Sequence, residues 1–231
     1  MNQFLIAGRL DGRYEALAKL QSVVEQRRPD AVLFAGGILA DNSMARANRL
    51  KAWETAFKGL GSLGVFTAVI PGTADVPLRE FLHAAGNAEV NFPDLHSAHA
   101  TVFEEDHVAV CGLGGELTEA EDRTEDRLTY SRASAEYFLR ALWWSEQPHN
   151  ILLLSVAPPG PLGEAGNPIC GDFIDSFHPR LCVTADATPR RGSQRIAHTL
   201  VVNPGRLADG SLAWLDLSRN VDEQLEFLSL E

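Results

Sequence analysis

Phe4-Leu5-Ile6-Ala7-Gly8-Arg9-Leu10-Asp11-Gly12 is the stretch of sequence that decides the fold. Its apolar first half predicts a buried strand, and Gly12 predicts a tight turn before a helical pattern that begins near Tyr14. A strand tip followed by a glycine turn and a helix start is where α/β proteins place metal or phosphate ligands. This tip instead carries a cation, Arg9, beside Asp11.

The pattern around this stretch alternates strands and helices. Strands are predicted at residues 4–8, 31–35 and 65–70, with a helix at 43–60 between the second and third. Such alternation is typical of a parallel sheet with right-handed crossovers. Further strands are predicted at 99–103, 108–111, 151–155, 180–184, 199–202 and 211–217. Two groups of strands with helices between them predict two packed sheets flanked by helices.

Two more segments complete the pattern. A helix over 130–144 is predicted to place Tyr130, Ala133, Tyr137, Ala141 and Trp144 on one face, and residues 221–231 are predicted to pack loosely. Of the neighbours Trp143 and Trp144, one is expected in the core and the other covered by a loop or a partner subunit. No repeat or linker interrupts the sequence, so residues 1–231 are expected to form a single domain.

Composition excludes several classes of function. The net charge of −11 disfavours nucleic-acid binding, and no apolar run reaches the length of a membrane helix. The N-terminus lacks the basic region of a signal peptide. Cys111, Cys170 and Cys182 are far apart and predict reduced thiols rather than a disulfide or zinc site. We therefore expect a cytoplasmic protein.

Five later segments repeat the order of a strand followed by a short loop. They are Gly36-Gly37, Gly72-Thr73-Ala74-Asp75, Ser155-Val156-Ala157-Pro158-Pro159, Thr184-Ala185-Asp186-Ala187-Thr188-Pro189 and Val201-Val202-Asn203-Pro204-Gly205-Arg206. With the first stretch, their order and spacing resemble the calcineurin-like metallophosphoesterases over nearly the whole chain. The resemblance implies a four-layer α/β/β/α sandwich, with the active site at the strand tips between the two sheets.

The resemblance also locates the positions of the family's functional residues. The positions of its metal ligands and acid–base histidine correspond to Arg9, Asp11, Gly37, Thr73, Ala74, Val156, Ala185 and Ala187. The aspartate that ends the family's Gly-Asn-His-Asp motif corresponds to Asp75. Of the ligand positions, only Asp11 offers a good donor, and the Arg9 guanidinium would repel a metal ion. The scattered histidines and the acidic segment 116–126 show no ligand spacing that replaces these losses.

These substitutions predict a non-catalytic protein with no cofactor. Its pocket would be lined by the motif positions, together with Ser155, Thr184 and Asp186, and would take a small anion or a phosphate-containing ligand. Arg9 is expected to pair there with both Asp11 and Asp75. Two alternatives stay open. One is a hydrolase with a relocated or mononuclear site around Asp11 and Asp75, and the other is a homo-oligomeric assembly protein that uses the tryptophan surface.

Overall fold

The computed structural model describes residues 1–120, 127–163, 166–185, 190–219 and 224–230. Its strands are β1 (Gln3–Ala7), β2 (Ala31–Phe34), β3 (Phe66–Val69), β4 (Leu95–Ser97), β5 (Phe103–Glu105), β6 (Val108–Leu113), β7 (Glu116–Thr118), β8 (Thr129–Ser131), β9 (His149–Leu154), β10 (Leu181–Thr184), β11 (Gly192–Ile196), β12 (Thr199–Asn203), β13 (Ser211–Asp216) and β14 (Leu225–Ser229). Its α-helices are α1 (Ala16–Arg27), α2 (Arg46–Gly61), α3 (Leu78–Glu89), α4 (Arg132–Leu139) and α5 (Pro168–Phe177). Short 3-10 segments lie at Arg140–Trp144 and Leu207–Asp209.

Two six-stranded sheets form the framework. The first has the order β14-β13-β1-β2-β3-β4, in which β1 to β4 are parallel and β13 and β14 are antiparallel additions. The second has the order β11-β12-β10-β9-β6-β5, in which the four central strands are parallel. The parallel strands of each sheet direct the loops that follow them to one edge, which is where the candidate site lies.

Alternation of side chains along the strands explains the layers. In β1, Leu5 packs against α1 to α3, while Phe4 and Ile6 face the second sheet. In β10, Val183 faces the first sheet, while Cys182 packs against α4 and α5. Three apolar cores therefore separate four layers, in the order helices, sheet, sheet, helices. The four-layer α/β/β/α sandwich expected from the sequence is confirmed.

Several local predictions were incomplete or wrong. The helices α3 and α5 and the strands β4 and β11 were missed, and residues 99–102 are not a strand. Residues 225–229 of the C-terminal segment do not pack loosely, because they form the edge strand β14 against β13. Residues 221–223 and 231 lie outside the described residues. In α4 and the following 3-10 turn, the buried face is Ala135, Leu139 and Leu142.

The two tryptophans also differ from the prediction. Trp143 is 49% exposed and Trp144 is 70% exposed, so neither is a core residue. All three cysteines are buried free thiols. Within the described ranges, each helix is too short or too polar to cross a membrane.

Candidate functional site

A cavity of about 150 Å³ lies at the strand tips, where loops from both sheets meet. Its walls are formed by Arg9, Asp11, Gly37, Leu39, Ala40, Gly72, Thr73, Ala74, Glu116, Arg127, Ser155, Val156 and Ala185. The structure thus brings together eight positions that the motif comparison singled out: Arg9, Asp11, Gly37, Thr73, Ala74, Val156, Ala185 and the predicted lining residue Ser155. Ala187 and Asp186 lie outside the described residues.

The loop after β1 fixes the two charged residues of the cavity. The Arg9 N–H donates to the Gly36 carbonyl at 2.7 Å, and the Asp11 N–H donates to the Gly37 carbonyl at 3.0 Å. Arg9 has φ 59° and Asp11 has φ 45°, both in the left-handed region that side-chain-bearing residues seldom adopt. Such conformations persist only where surrounding contacts hold them, so the positions of both side chains are tightly determined.

Asp11 is held between two arginines. Its carboxylate lies 3.2 Å from Arg9 Nη2 and 2.8 Å from Arg206 Nη2, and it also accepts hydrogen bonds from both Nε atoms. The Asp11 side chain is 5% exposed, against 18% for Arg9 and 33% for Arg206. Two guanidinium groups therefore neutralise one nearly buried carboxylate. We term Arg9, Asp11 and Arg206 the arginine clamp.

Asp75 does not belong to this cavity, and its predicted pairing with Arg9 was wrong. Its side chain is fully buried, and its carboxylate accepts hydrogen bonds from the N–H groups of Ile38 (3.1 Å), Leu39 (3.0 Å) and Gly72 (2.7 Å) and from Trp53 Nε1 (3.0 Å). Asp75 therefore connects the loops after β2 and β3 by hydrogen bonds on their buried side. Its role is structural, because all four donors belong to the protein's own framework.

Thr184, which the sequence also placed in the lining, is likewise fully buried and lies outside the cavity wall. Ser155 does line it, but its hydroxyl donates to the Gly115 carbonyl at 2.8 Å and accepts from the Gly115 N–H at 2.6 Å. Both partners are backbone groups of a single residue. Ser155 therefore holds the glycine loop after β6 in place. Among the described residues its hydroxyl bonds to Gly115 alone, with no base to make it a nucleophile.

The far wall carries a second charged pair that sequence analysis missed. Arg127 Nη2 forms an ion pair with Glu116 Oε1 at the exposed rim of the cavity. Arg206 was also missed as a site residue. The available signal was the position of each arginine at the end of a quoted segment. Arg127 directly follows the acidic segment 116–126, and Arg206 is the last residue of Val201-Val202-Asn203-Pro204-Gly205-Arg206. Both positions became relevant only when the loops were brought together in space.

Few side chains among the described residues could hold a metal ion at the cavity. Its described wall presents two carboxylates, Asp11 and Glu116, and each is already paired with arginine. Gly37, Val156 and Ala185 supply no side-chain donor. In the part of the chain that the structure describes, no three His, Cys, Asp or Glu side chains form a group that could hold a metal ion.

The arginine clamp gives a first testable expectation. Arg9→Ala should lower the free energy of unfolding by about 1–3 kcal/mol, because Asp11 keeps only one of its two cationic partners. Asp11→Ala should also destabilise, and the double variant should lose less than the sum of the two, since the groups interact directly. Urea denaturation of the wild type, the two single variants and the double variant measures this double-mutant cycle.

The exposed pair Arg132–Glu119, which does not contact the clamp, is the matched control. Its side chains are 37% and 72% exposed at a distance of 3.1 Å, so the same cycle there should give less than about 1 kcal/mol. Strict additivity of Arg9→Ala and Asp11→Ala would show that the clamp has no energetic role.

His99 lies behind the glycine loop and is almost fully buried. Its Nδ1 accepts the Gly114 N–H at 3.1 Å, so Nε2 carries the proton and donates to the Tyr130 hydroxyl at 2.9 Å. Burial lowers the pKa of His99 to about 4 and raises the pKa of Tyr130 to about 12. Both groups are therefore neutral near pH 7.

The lowered pKa of His99 predicts that the protein loses stability in mild acid. An unfolded histidine titrates near 6.5, so below that pH the unfolded chain takes up a proton that folded His99 refuses. The contribution is fully present above pH 6.5 and is lost as the pH falls toward 4. It amounts to about 2.5 kcal/mol by pH 4.5. Urea denaturation at pH 7.5 and 4.5 should show His99→Gln losing less stability than the wild type by that amount. Equal losses would contradict the assignment.

Comparisons with known proteins agree with this architecture. The family model described as metallophosphoesterase, calcineurin superfamily, matches residues 1–225. The crystal structure of TT1561 of Thermus thermophilus is 26% identical, with a TM-score of 0.87, over 100% of this chain and 99% of that one. Another crystal structure is 25% identical, with a TM-score of 0.89 and the same coverage.

A more distant similarity concerns the fold alone. A dimetal phosphatase from Danio rerio is 11% identical, with a TM-score of 0.65, over 100% of this chain and 99% of that one. No curated protein matches the sequence.

Proposed function

Since the chain belongs to the calcineurin superfamily of metallophosphoesterases, we propose that it is a non-catalytic member whose strand-tip cavity binds a small anion. The observation that carries this proposal is the arginine clamp. Asp11, the one good ligand left at the motif positions, is 2.8 Å from Arg206 and 3.2 Å from Arg9. A divalent cation would have to displace both guanidinium groups to reach it.

The guanidinium groups of the cavity favour an anion. Among the described residues, Arg9 and Arg127 balance Asp11 and Glu116 in its wall, and Arg206 gives Asp11 a second cationic partner from outside the wall. A guanidinium presents its donors in a planar fork that suits phosphate or carboxylate oxygens. The small volume, about 150 Å³, suits an inorganic anion or the terminal phosphate of a larger molecule.

The backbone contributes further donors. Gly37, Thr73 and Ala74 line the cavity, and their N–H groups donate to no acceptor among the described residues. Gly36 and Gly37 have φ values of 82° and 77°, a conformation that curves the chain around a concavity. Consecutive N–H groups in such turns are typical anion-binding elements.

Hydrolysis of the bound anion is not supported by these groups. No histidine contributes to the cavity wall as the structure describes it, and the Ser155 hydroxyl is bonded in both directions to Gly115. The alternative of a mononuclear site loses its second ligand, because Asp75 is enclosed by four donors away from the cavity. We also propose a cytoplasmic location, because the three cysteines are free thiols. We expect no binding of nucleic acid, because the net charge of −11 would repel its phosphates.

Metal analysis tests the loss of the dinuclear centre. After incubation with manganese and removal of unbound ions by gel filtration, elemental analysis should find only trace metal. The physical reason is that both carboxylates of the cavity are already neutralised by arginine. Two equivalents of manganese per chain would overturn the proposal, as would metal-dependent hydrolysis of an aryl phosphate diester.

Phosphate binding tests the anion site. Phosphate at about a hundredfold excess over its dissociation constant should stabilise the wild type by about 2.7 kcal/mol, which is roughly 5–10 °C in Tm for a chain of this size. Arg9→Ala should lose most of this response.

Arg13→Ala is the matched control for non-specific salt effects, because Arg13 is exposed and lies outside the cavity. Equal responses in the wild type, Arg13→Ala and Arg9→Ala would mean that the cavity holds no specific anion site.

A further inference from the structure

Four aromatic side chains are exposed on one side of the helices that cover the second sheet. We term them the aromatic patch: Tyr137 is 60% exposed, Phe138 37%, Trp143 49% and Trp144 70%. Tyr137 and Phe138 lie on α4, and the tryptophans lie on the 3-10 turn that continues it. Exposed aromatics in one group are uncommon on a monomeric protein and mark surfaces that are covered by a partner.

We propose that the aromatic patch is a self-association surface, covered by the same patch of a second copy of this chain. It is separate from the anion cavity, since none of its residues lines that cavity. Either inference can therefore fail without the other.

The size of the patch is consistent with a dimer contact. At roughly 200 Å² per aromatic side chain, the four exposed fractions amount to about 400 Å². A standard interface takes about 800 Å² from each partner. The patch thus supplies about half of one side, and the neighbouring exposed residues Ala133, Glu136 and Ala141 extend it along the same helical segment.

The charges within the patch are complementary to themselves. Glu136 and Arg140 are four residues apart, on either side of Phe138. A two-fold axis that crosses the helix near residue 138 places Glu136 of one copy beside Arg140 of the other, and the converse. Two such pairs form in one contact. A surface with this arrangement fits a second copy better than it fits a uniformly charged partner.

The patch is also ordered in advance of any contact. The Arg140 guanidinium lies 3.5 Å from the centroid of the Tyr137 ring and 6.0 Å from that of Trp144. The Trp143 ring packs 4.8 Å from Phe177, and its Nε1 donates to the Ser176 carbonyl at 3.3 Å. Side chains that are already held in place lose less conformational freedom when a partner covers them.

Polar pairs border the aromatic centre. Arg132 bonds Glu119 and Asp172, and Glu104 accepts from Ser145 and Gln147. An aromatic centre with a satisfied polar border is the usual anatomy of a specific interface.

Sedimentation velocity tests the proposal. Over about 1 to about 200 µM, the range in which a small interface dissociates, the wild type should pass from monomer to dimer. Trp144→Ala should raise the dissociation constant at least about tenfold. Val90→Ser is the matched control, because Val90 is 85% exposed at the end of α3, and it should leave the constant unchanged.

Exchanging the charges of Glu136 and Arg140 distinguishes this two-fold contact from non-specific association. Glu136→Arg and Arg140→Glu should each weaken the dimer, because each places like charges opposite one another, and the double exchange should restore it. A wild type that stays monomeric throughout would overturn the proposal and leave the patch to a different partner. So would a Trp144→Ala protein that dimerises as the wild type does, or a double exchange that weakens association further.

Discussion

Asp75→Ala should lower the free energy of unfolding by about 3–5 kcal/mol, which is roughly 6–20 °C in Tm for a chain of this size. The side chain is fully buried and satisfies three backbone N–H groups and the Trp53 indole. Alanine would leave all four donors without an acceptor and open a void between the loops after β2 and β3. Chemical denaturation measures the loss.

Asp75→Asn separates hydrogen bonding from packing. It keeps the shape of the side chain and one acceptor oxygen, but replaces the other oxygen with a donor that faces N–H groups. We therefore expect Asp75→Asn to be less stable than the wild type and more stable than Asp75→Ala. A loss below about 1 kcal/mol for the alanine variant would show that the four bonds do not support the strand tips.

Gly114→Ala is expected to be of similar severity. A Cβ at this position would meet the Pro71 carbonyl and lie 2.7 Å from its carbon, so the obstruction is backbone and cannot rotate away. The loops after β3 and β6 belong to different sheets, and their close approach at this glycine closes the top of the sandwich. We expect a loss of about 3 kcal/mol or more, measured by thermal and urea denaturation.

Gly86→Ala is the internal control for the glycine substitution. Gly86 lies within α3, is exposed, and has no atom within 4 Å of the position that a Cβ would take. Alanine should raise stability there by about 0.5–1 kcal/mol, because it reduces the conformational freedom of the unfolded chain. A Gly114→Ala protein as stable as Gly86→Ala would mean that the two loops can separate freely.

The layer order could be predicted because it follows from strong local patterns. Runs such as Phe4-Leu5-Ile6-Ala7 are apolar on both faces, as strands covered by helices and a second sheet must be. Segments with weaker patterns were lost. Strand β4 has only three residues, and β14 is an edge strand in which Leu225–Ser229 are half-buried or exposed. The acidic composition of residues 221–231 led instead to the prediction of a loosely packed end.

The candidate site was predictable to the extent that it follows strand ends along the chain. Arg9, Asp11, Thr73 and Ala185 each come directly after a strand of the parallel sets, so their convergence follows from topology. Arg206 follows β12 and reaches the same edge, but its pairing with Asp11 depends on how the loop after β12 folds back.

The burial of Asp75 had a further cause. In the sequence, Asp75 matched a site motif. The direction of its side chain depends on the turn at residues 72–75, which points the Asp75 carboxylate inward, toward the N–H groups of Ile38 and Leu39. Motif position alone does not determine orientation. A carboxylate beside exposed backbone donors can serve the fold instead of the cavity.

The contact between Gly37 and Arg9 makes the two positions depend on each other. Position 37 matches the family's bridging aspartate, and a Cβ there would lie 3.0 Å from Arg9 Cγ and 3.1 Å from Arg9 Cα, at a φ of 77°. An aspartate at position 37 would therefore need Arg9 to shift by a few tenths of an ångström, whereas removal of Arg9 would leave Asp11 with Arg206 alone. A substitution at one of the two positions thus changes what the other tolerates, so we expect them to vary as a pair.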